Sequence, residues 1–188
     1  MLAYVFWHWP KPDVSTAEYE QFQRAFHAAL AQSEPGGFVS SLTFRVAGQA
    51  PWLGGTPAYA DWYLVDDSAA LDALNVAAVS GVCEAPHAHI AQAMSAGAGS
   101  LLALHSDAAP ARAPRLPAVR HATWLTKPRD MPYATFYATT ARLPGADQTT
   151  LWRRQMVLGP TPEFGLLAPH ILQLPASLQP LTLTLNPI

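Results

Sequence analysis

The stretch LAYVFWHW, residues Leu2–Trp9, is the segment on which the interpretation of the fold depends. It is almost wholly apolar and rich in aromatic side chains, a composition typical of a β-strand that is covered on both faces. Because side chains alternate along a strand, one face carries Val5, Trp7 and Trp9, and the other carries Tyr4, Phe6 and His8. Pro10 and Pro12 are expected to end the strand, since proline has no amide hydrogen to donate to a sheet.

A helix is predicted directly after this strand. Ser15 and Glu18 form a capping box, in which a hydroxyl and a carboxylate satisfy the first free amides of a helix. An apolar stripe with helical spacing follows and consists of Tyr19, Phe22, Phe26 and Leu30. The sequence EPGG at residues 34–37 is expected to end the helix.

The segments up to residue 107 complete one structural unit. Alternating or aromatic-rich stretches predict strands over residues 38–46, 59–65 and 100–105. Between the last two we expect one helix that Ser68 caps and Gly81 ends, and another from Pro86 to about Ser95 that stops at residues 97–99. The order β-α-β-β-α-β is that of a ferredoxin-like α+β sheet. Helices cover only one face of such a sheet, so its other apolar face needs a partner.

The rest of the chain predicts a second, degenerate copy of this unit. Residues 108–119 are rich in Ala, Pro and Arg and are expected to link a unit at 1–107 to a unit at 120–188. The repeat is indicated by matched pairs at similar spacing, namely Trp9 with Trp124, Tyr19 with Tyr133, and Phe22 with Phe136.

Within the second copy we predict strands over residues 121–126, 149–158, 163–168 and 181–186, and one helix over residues 131–143 that Asp130 caps. Only a proline-bounded turn fits before the last strand. The predicted fold class is therefore α+β, with the two sheets packed against each other as an α/β barrel. That barrel closes either within one chain or in a homodimer.

Composition excludes several classes of protein. Half of the residues are hydrophobic and 13% are charged, which is enough apolar material for a core and too little charge for a disordered chain. The formal net charge of −2 gives no overall attraction to nucleic acid. No apolar run is long enough to cross a bilayer, and the start of the chain lacks the basic region of a signal peptide. Cys83 is the only cysteine, so we expect a cytoplasmic protein without internal disulfides.

The chain resembles the dimeric α/β-barrel superfamily in the order of its elements and in residues 71–89, which precede the last strand of the first unit. That superfamily includes antibiotic-biosynthesis monooxygenases, EthD-like proteins and haem-degrading monooxygenases. The resemblance implies two ferredoxin-like sheets packed face to face, with a pocket between each sheet and its helices. Residues 84–87, EAPH, are similar to the helical segment where haem-degrading members place an iron-ligating histidine. Trp62 takes the place of a tryptophan on their third strand, but residues 2–9 contain no counterpart of their first-strand asparagine.

Three side chains are candidates for catalysis. His87 shares a helical face with Ile90 and Met94 and could point into an apolar pocket as a base, or it could be a half-exposed capping residue. His8 could act as a base or donor toward an aromatic substrate, or it could be a buried structural histidine. Tyr63 shares a strand face with Asp61, and the pair could hydrogen-bond a phenolic ligand or lie at an interface.

The candidate ligand-binding residues are Trp7, Trp62, Asp61, His89 and Arg153. The tryptophans could form walls for a flat ligand, or they could pack in the core. Arg153 could hold a carboxylate, or it could form an ion pair. His89 lies about 200° around the helix from His87, so the two should not bind one metal. No other spacing resembles a metal site, and no metal is expected.

Three functions remain open on the sequence alone. The first is a cofactor-independent monooxygenase or isomerase that acts on a small aromatic or polyketide-like molecule. The second is a haem protein with His87 as the proximal ligand. The third is a non-catalytic binding or assembly module. The sequence favours the first function, with a small aromatic or apolar molecule as the partner rather than nucleic acid or a membrane. It leaves open whether the chain is an enzyme at all.

Overall fold

The computed structural model describes residues 1–105 and 113–188; part of the predicted linker at 108–119 therefore lies outside the described residues. The first half contains β1 (Leu2–Pro10), α1 (Thr16–Ser33), β2 (Phe38–Ala47), β3 (Ala58–Val65), α2 (Ala69–Ala78), α3 (Glu84–Ala93) and β4 (Met94–His105). The second half contains β5 (His121–Leu125), α4 (Tyr133–Ala141), β6 (Thr150–Arg154), β7 (Phe164–Ala168) and β8 (Leu181–Pro187).

These strands form one closed antiparallel barrel in the order β1-β3-β2-β8-β5-β7-β6-β4. The first half contributes the run β4-β1-β3-β2, and the second contributes β8-β5-β7-β6. The halves join where β2 pairs with β8 and β4 pairs with β6. The α+β class is confirmed and the barrel closes within one chain. The predicted barrel is confirmed, and its two halves form one continuous sheet because hydrogen bonds at both seams join them.

The interior of the barrel is filled by large apolar side chains from both halves. Trp7 of β1 contacts Trp124 of β5 with 5.6 Å between ring centroids, and Trp62 of β3 contacts Trp152 of β6 with 5.8 Å. All four side chains are almost completely buried. The apolar face that the first half leaves uncovered by helices is therefore covered by the second half, and aromatic burial stabilises the packing of the two halves across the barrel interior.

Helices cover the outer face of the sheet. In the first half Phe26 and Leu30 of α1, Leu74 of α2 and Ile90 of α3 pack with side chains of β1 and β3. In the second half Phe136 of α4 packs on β5 and β7. None of the helices in residues 1–105 and 113–188 has the length and hydropathy that crossing a membrane requires.

The structure confirms one predicted helix cap and corrects two. Ser15 Oγ accepts a hydrogen bond from the amide of Glu18 at 3.2 Å, as the capping box predicts. At α2 it is Asp67 rather than Ser68 that caps, because its Oδ1 accepts from the amide of Ala70 at 3.1 Å. Helix α4 begins after Pro132 instead of being capped by Asp130.

Strand β4 is longer than predicted and includes residues 97–99, which we expected to end a helix. The reason is the aromatic face of β1. A Cβ atom on Gly97 would lie 2.4 Å from Phe6 Cζ, and one on Gly99 would lie 2.9 Å from Tyr4 Cε2. These glycines therefore make room for two rings on the sheet surface. Strand β6 is correspondingly shorter than predicted and ends at Arg154.

Candidate active site

The outer face of β1 and β3 carries a polar cluster beneath α1. Antiparallel pairing aligns Tyr4 with Tyr63, Phe6 with Asp61 and His8 with Tyr59. These residues point away from the barrel interior, because they alternate with the buried Val5, Trp7 and Trp62. The register of two strands thus places an acid, an imidazole and phenols together under a helix.

Asp61 is the centre of this cluster. Its side chain is only 4% exposed, and both carboxylate oxygens are engaged. Thr43 Oγ1 donates to Oδ1 at 2.6 Å, and Tyr63 Oη donates to Oδ2 at 2.9 Å. A buried carboxylate is stable only when neighbouring groups replace the water it has lost, and here two hydroxyls do so.

Two imidazoles flank the same carboxylate. His8 Nε2 lies 3.1 Å from Asp61 Oδ1, and His27 Nε2 lies 3.5 Å from it. Neither nitrogen has a directed hydrogen bond in the described part of the chain, so these contacts are electrostatic. The other ring nitrogens are held firmly: His8 Nδ1 lies 2.6 Å from Tyr19 Oη, and His27 Nδ1 lies 2.6 Å from Ser41 Oγ.

This environment shifts the acidity of the cluster. Burial tends to raise the pKa of Asp61, but the charge of His8 and the contact with His27 outweigh it, so the pKa lies far below the usual range. Burial, together with the charge of Asp61, raises the pKa of Tyr63 well above its ordinary value and also raises that of Tyr4. At neutral pH the cluster therefore holds an ionised acid and neutral phenols.

A cavity of about 590 Å³, open to solvent on one side, lies between this sheet face and the helices. Its floor includes Asp61 and Tyr63, and His87 of α3 lies on its wall. The rest of its described lining is mostly apolar: Tyr4, Phe6, Phe26, Leu71, Leu74, Ala78, Ile90, Ala91, Met94 and Leu101, with Asp72 and Asn75 of α2. Aromatic walls around a few polar groups are the usual composition of a small-molecule site.

The predicted catalytic residues fall close together but not all in the cavity. Tyr63 and His87 line it, with the His87 ring 5.6 Å from the ring of Phe26. His8 is fully buried and is not among the described residues that line the cavity. It contacts Asp61 outside the cavity. The histidine that appeared alone in the sequence thus has a partner, since Tyr19 orients its ring.

The predicted ligand-binding residues separate into three places. Asp61 is in the cavity floor, whereas Trp7 and Trp62 point into the barrel interior, because they occupy the opposite faces of their strands. His89 is exposed and lies beside Phe22, at 5.4 Å between ring centroids with the rings tilted by 33°. Arg153 lies on the second half, where its Nε donates to Glu163 Oε1 at 3.0 Å.

Sequence reasoning missed His27, Gln23 and Tyr4 as members of the cluster. A signal for two of them exists, because Tyr19, Gln23 and His27 follow one another at intervals of four residues and so share a face of α1. That face is polar yet lies against the sheet, with Gln23 fully buried. A polar line on the inner side of an amphipathic helix indicates a buried polar cluster beneath it.

A haem bound through His87 does not fit these residues. Among the described residues that line the cavity there is no Lys or Arg, and Asp61 and Asp72 add two carboxylates. Propionate groups would meet like charges in a partly buried setting. We therefore derive no catalytic step through haem. In residues 1–105 and 113–188 there is also no cluster of three or more His, Cys, Asp or Glu side chains arranged to hold a metal ion.

Comparison with known proteins adds information about the fold. No family model matches the chain, and no curated protein matches it in sequence. A crystal structure of a protein provisionally assigned as a chlorite dismutase superposes with a TM-score of 0.52 at 13% identity. The match covers 100% of this chain and 96% of that one. At this identity the similarity shows that the two chains share a fold and nothing about a shared reaction.

Proposed function

We propose that the chain binds a small aromatic or polyketide-like molecule between the sheet and α1–α3, and acts on it without a cofactor, as a monooxygenase or isomerase. The observation that supports this most is the combination of an ionised, buried Asp61 with Tyr63 on the floor of an aromatic-walled cavity. Acid–base groups with strongly shifted pKa values in a cleft are typical of catalytic sites.

In this proposal His87 is the base that touches the substrate. It lines the cavity and is half-buried, so an imidazole nitrogen can reach a ring or side-chain proton of a bound molecule. Tyr63 Oη accepts a hydrogen bond from a substrate hydroxyl, because Asp61 takes the Tyr63 proton and so fixes the direction of the Tyr63 hydroxyl. His8 and Tyr19 are positioning residues, because they act on Asp61 from outside the cavity.

The two reactions share their first step. His87 removes a proton from a carbon next to a carbonyl or enol, and the electron pair delocalises into the ring system. In an isomerase His87 returns that proton to a different carbon, so the formula is unchanged. In a monooxygenase dioxygen adds to the carbanion to form a peroxide. The same carbon then loses its second hydrogen as the O–O bond breaks, so that one oxygen atom stays as a carbonyl and the other leaves as water with the two hydrogens.

Oxidation of anthrone provides a direct test of this function. Anthrone, whose enol tautomer carries a hydroxyl that can donate to the Tyr63–Asp61 pair, reacts with dioxygen to give anthraquinone and water, and the product is followed by its absorbance. We expect the protein to accelerate the reaction above the rate in buffer, and His87→Ala to remove about 10²–10⁴-fold of the acceleration, as expected for loss of general base catalysis. Gln92→Ala on the exposed side of α3 is the matched control and should leave the rate unchanged. A His87→Ala rate equal to that of the wild type would refute the proposed role.

We further propose that the barrel arose from two ferredoxin-like halves. The run β4-β1-β3-β2 of the first half and β8-β5-β7-β6 of the second have the same relative order, which supports this origin. The second half has a short 3-10 turn at Ala176–Leu178 before its last strand, where the first half has α2 and α3. A homodimer and a cytoplasmic location stay predictions.

A further inference from the structure

The Tyr63–Asp61 pair on the floor of the cavity offers hydrogen-bond acceptors and no donor. The Tyr63 hydroxyl gives its only proton to Asp61 Oδ2, at 2.9 Å, so toward the cavity it presents lone pairs. Asp61 is ionised and can only accept. A ligand group that reaches this pair must bring the proton for the hydrogen bond itself, whereas the Tyr4 hydroxyl and the Asn75 amide elsewhere in the lining can donate.

The electrostatic character of the cavity points in the same direction. Asp61 lies on its floor and Asp72 of α2 on its wall, and the described lining contains neither Lys nor Arg. An anionic group moved into this setting would lose water and meet two carboxylates without a Lys or Arg from the described lining, which is costly in a partly buried site. The aromatic rings of Tyr4, Phe6 and Phe26 also present faces that attract cations rather than anions.

We infer that the ligand of this cavity is an uncharged or cationic aromatic molecule with a hydroxyl or ammonium group that donates a hydrogen bond to the Tyr63–Asp61 pair, and that aromatic carboxylates are excluded. This inference rests on the proposed function and narrows its substrate class. It assigns to Tyr63 and Asp61 the role of selecting the ligand, separate from proton removal by His87.

Calorimetry with four naphthalene derivatives substituted at the same ring position tests the inference, with binding read independently of turnover. The probes are naphthol, naphthylmethylammonium, methoxynaphthalene and naphthoate. We expect naphthol and naphthylmethylammonium to bind at least about tenfold more tightly than methoxynaphthalene, because the ether leaves the acceptors of the Tyr63–Asp61 pair unpaired. Their preference over the anion naphthoate should be larger still. Equal affinities for naphthol and its ether, or tighter binding of naphthoate, would overturn the inference.

Variants separate the hydrogen bond from the charge. Tyr63→Phe should reduce the preference for naphthol over methoxynaphthalene, and Asp72→Asn should reduce the discrimination against naphthoate. Asp66→Asn, a change to an exposed carboxylate outside the described cavity lining, is the matched control and should alter neither ratio. Asp61→Asn should reduce both the preference for naphthol over methoxynaphthalene and the discrimination against naphthoate. If this variant does not fold, Tyr63→Phe and Asp72→Asn decide the result.

The outcomes also distinguish this inference from the proposed function. Selective binding of the donors without any oxidation of anthrone would support the ligand class and contradict the enzyme. Anthrone oxidation that depends on His87, together with tighter binding of naphthoate than of naphthol, would support the enzyme and overturn the ligand class. Absence of binding by all four probes would overturn the ligand class, and together with absence of anthrone oxidation it would overturn both.

Discussion

Tyr63 donates a hydrogen bond of 2.9 Å to Asp61, a residue two positions earlier on the same face of β3. Neighbours on one face of a strand rarely pair in this way, because their side chains stand roughly parallel. Here the pairing is favoured by α1, which covers Asp61 and leaves its carboxylate two imidazoles and two hydroxyls as neighbours. The pair therefore forms the chemical floor of the cavity.

The stability of the first half should depend on Asp61. Asp61→Ala leaves His8, His27 and the Thr43 hydroxyl without their shared partner, and we expect it to lower the free energy of unfolding by about 3–5 kcal/mol. Asp61→Asn keeps one acceptor oxygen and should lower the free energy of unfolding by a smaller amount. Urea denaturation followed by tryptophan fluorescence measures both changes. A loss below about 1 kcal/mol in Asp61→Ala would mean that the cluster contributes little to folding.

The hydrogen bond between Tyr19 and His8, which orients the His8 ring, should also contribute to the free energy of unfolding measured in urea. Tyr19→Phe leaves the buried His8 Nδ1 without its partner at 2.6 Å, so we expect a loss of about 1–3 kcal/mol. The matched control is Tyr59→Phe, whose hydroxyl makes a longer bond of 3.4 Å to the half-buried Glu20. Equal losses in the two variants would contradict a special role for the Tyr19–His8 pair.

Stability should fall in acid because of Asp61. Its pKa is lowered in the folded state, so its contribution is complete above the unfolded value of about 3.9 and is lost as the pH falls further toward the folded value. We expect the difference in unfolding free energy between the wild type and Asp61→Asn to shrink as the pH falls below about 4. A difference that stays constant into strong acid would show that the pKa of Asp61 is not lowered.

The size of the cavity should depend on Gly99. A methyl group at this position would lie 2.9 Å from the Tyr4 ring, which lines the cavity, so the ring must move. We expect Gly99→Ala to weaken naphthol binding and to cost about 1–3 kcal/mol of stability, as overpacking does. Ala96→Gly, at an exposed position of the same strand, should leave binding unchanged. Unchanged binding in Gly99→Ala would place the ligand away from Tyr4.

Much of the first half could be predicted from local patterns. The alternation of β1 separated Tyr4, Phe6 and His8 from Trp7, and the shared face of Asp61 and Tyr63 followed from their spacing. What could not be predicted depends on contacts between distant segments. The cluster needs α1 above the sheet to bring Tyr19 and His27 to Asp61, and the cavity needs Gly97 and Gly99 opposite β1 to admit two rings.

The second half was harder to predict for a physical reason. Its strands β5, β6 and β7 are only five residues long, and α4 has nine residues, so their periodicity gives a weak signal. The seams that close the barrel, β2 with β8 and β4 with β6, join residues that are far apart in the sequence. No local pattern indicates which edges pair, so the sequence left open whether the predicted barrel closes within one chain or in a homodimer.

A crystal structure of the protein with bound naphthol tests the central claim most directly. We expect the ring to lie against Tyr4, Phe6 and Phe26, with its hydroxyl within hydrogen-bonding distance of Tyr63 Oη or Asp61 Oδ2. Electron density for naphthol elsewhere, or a ring in this cavity with its hydroxyl turned away from the Tyr63–Asp61 pair, would contradict the claim.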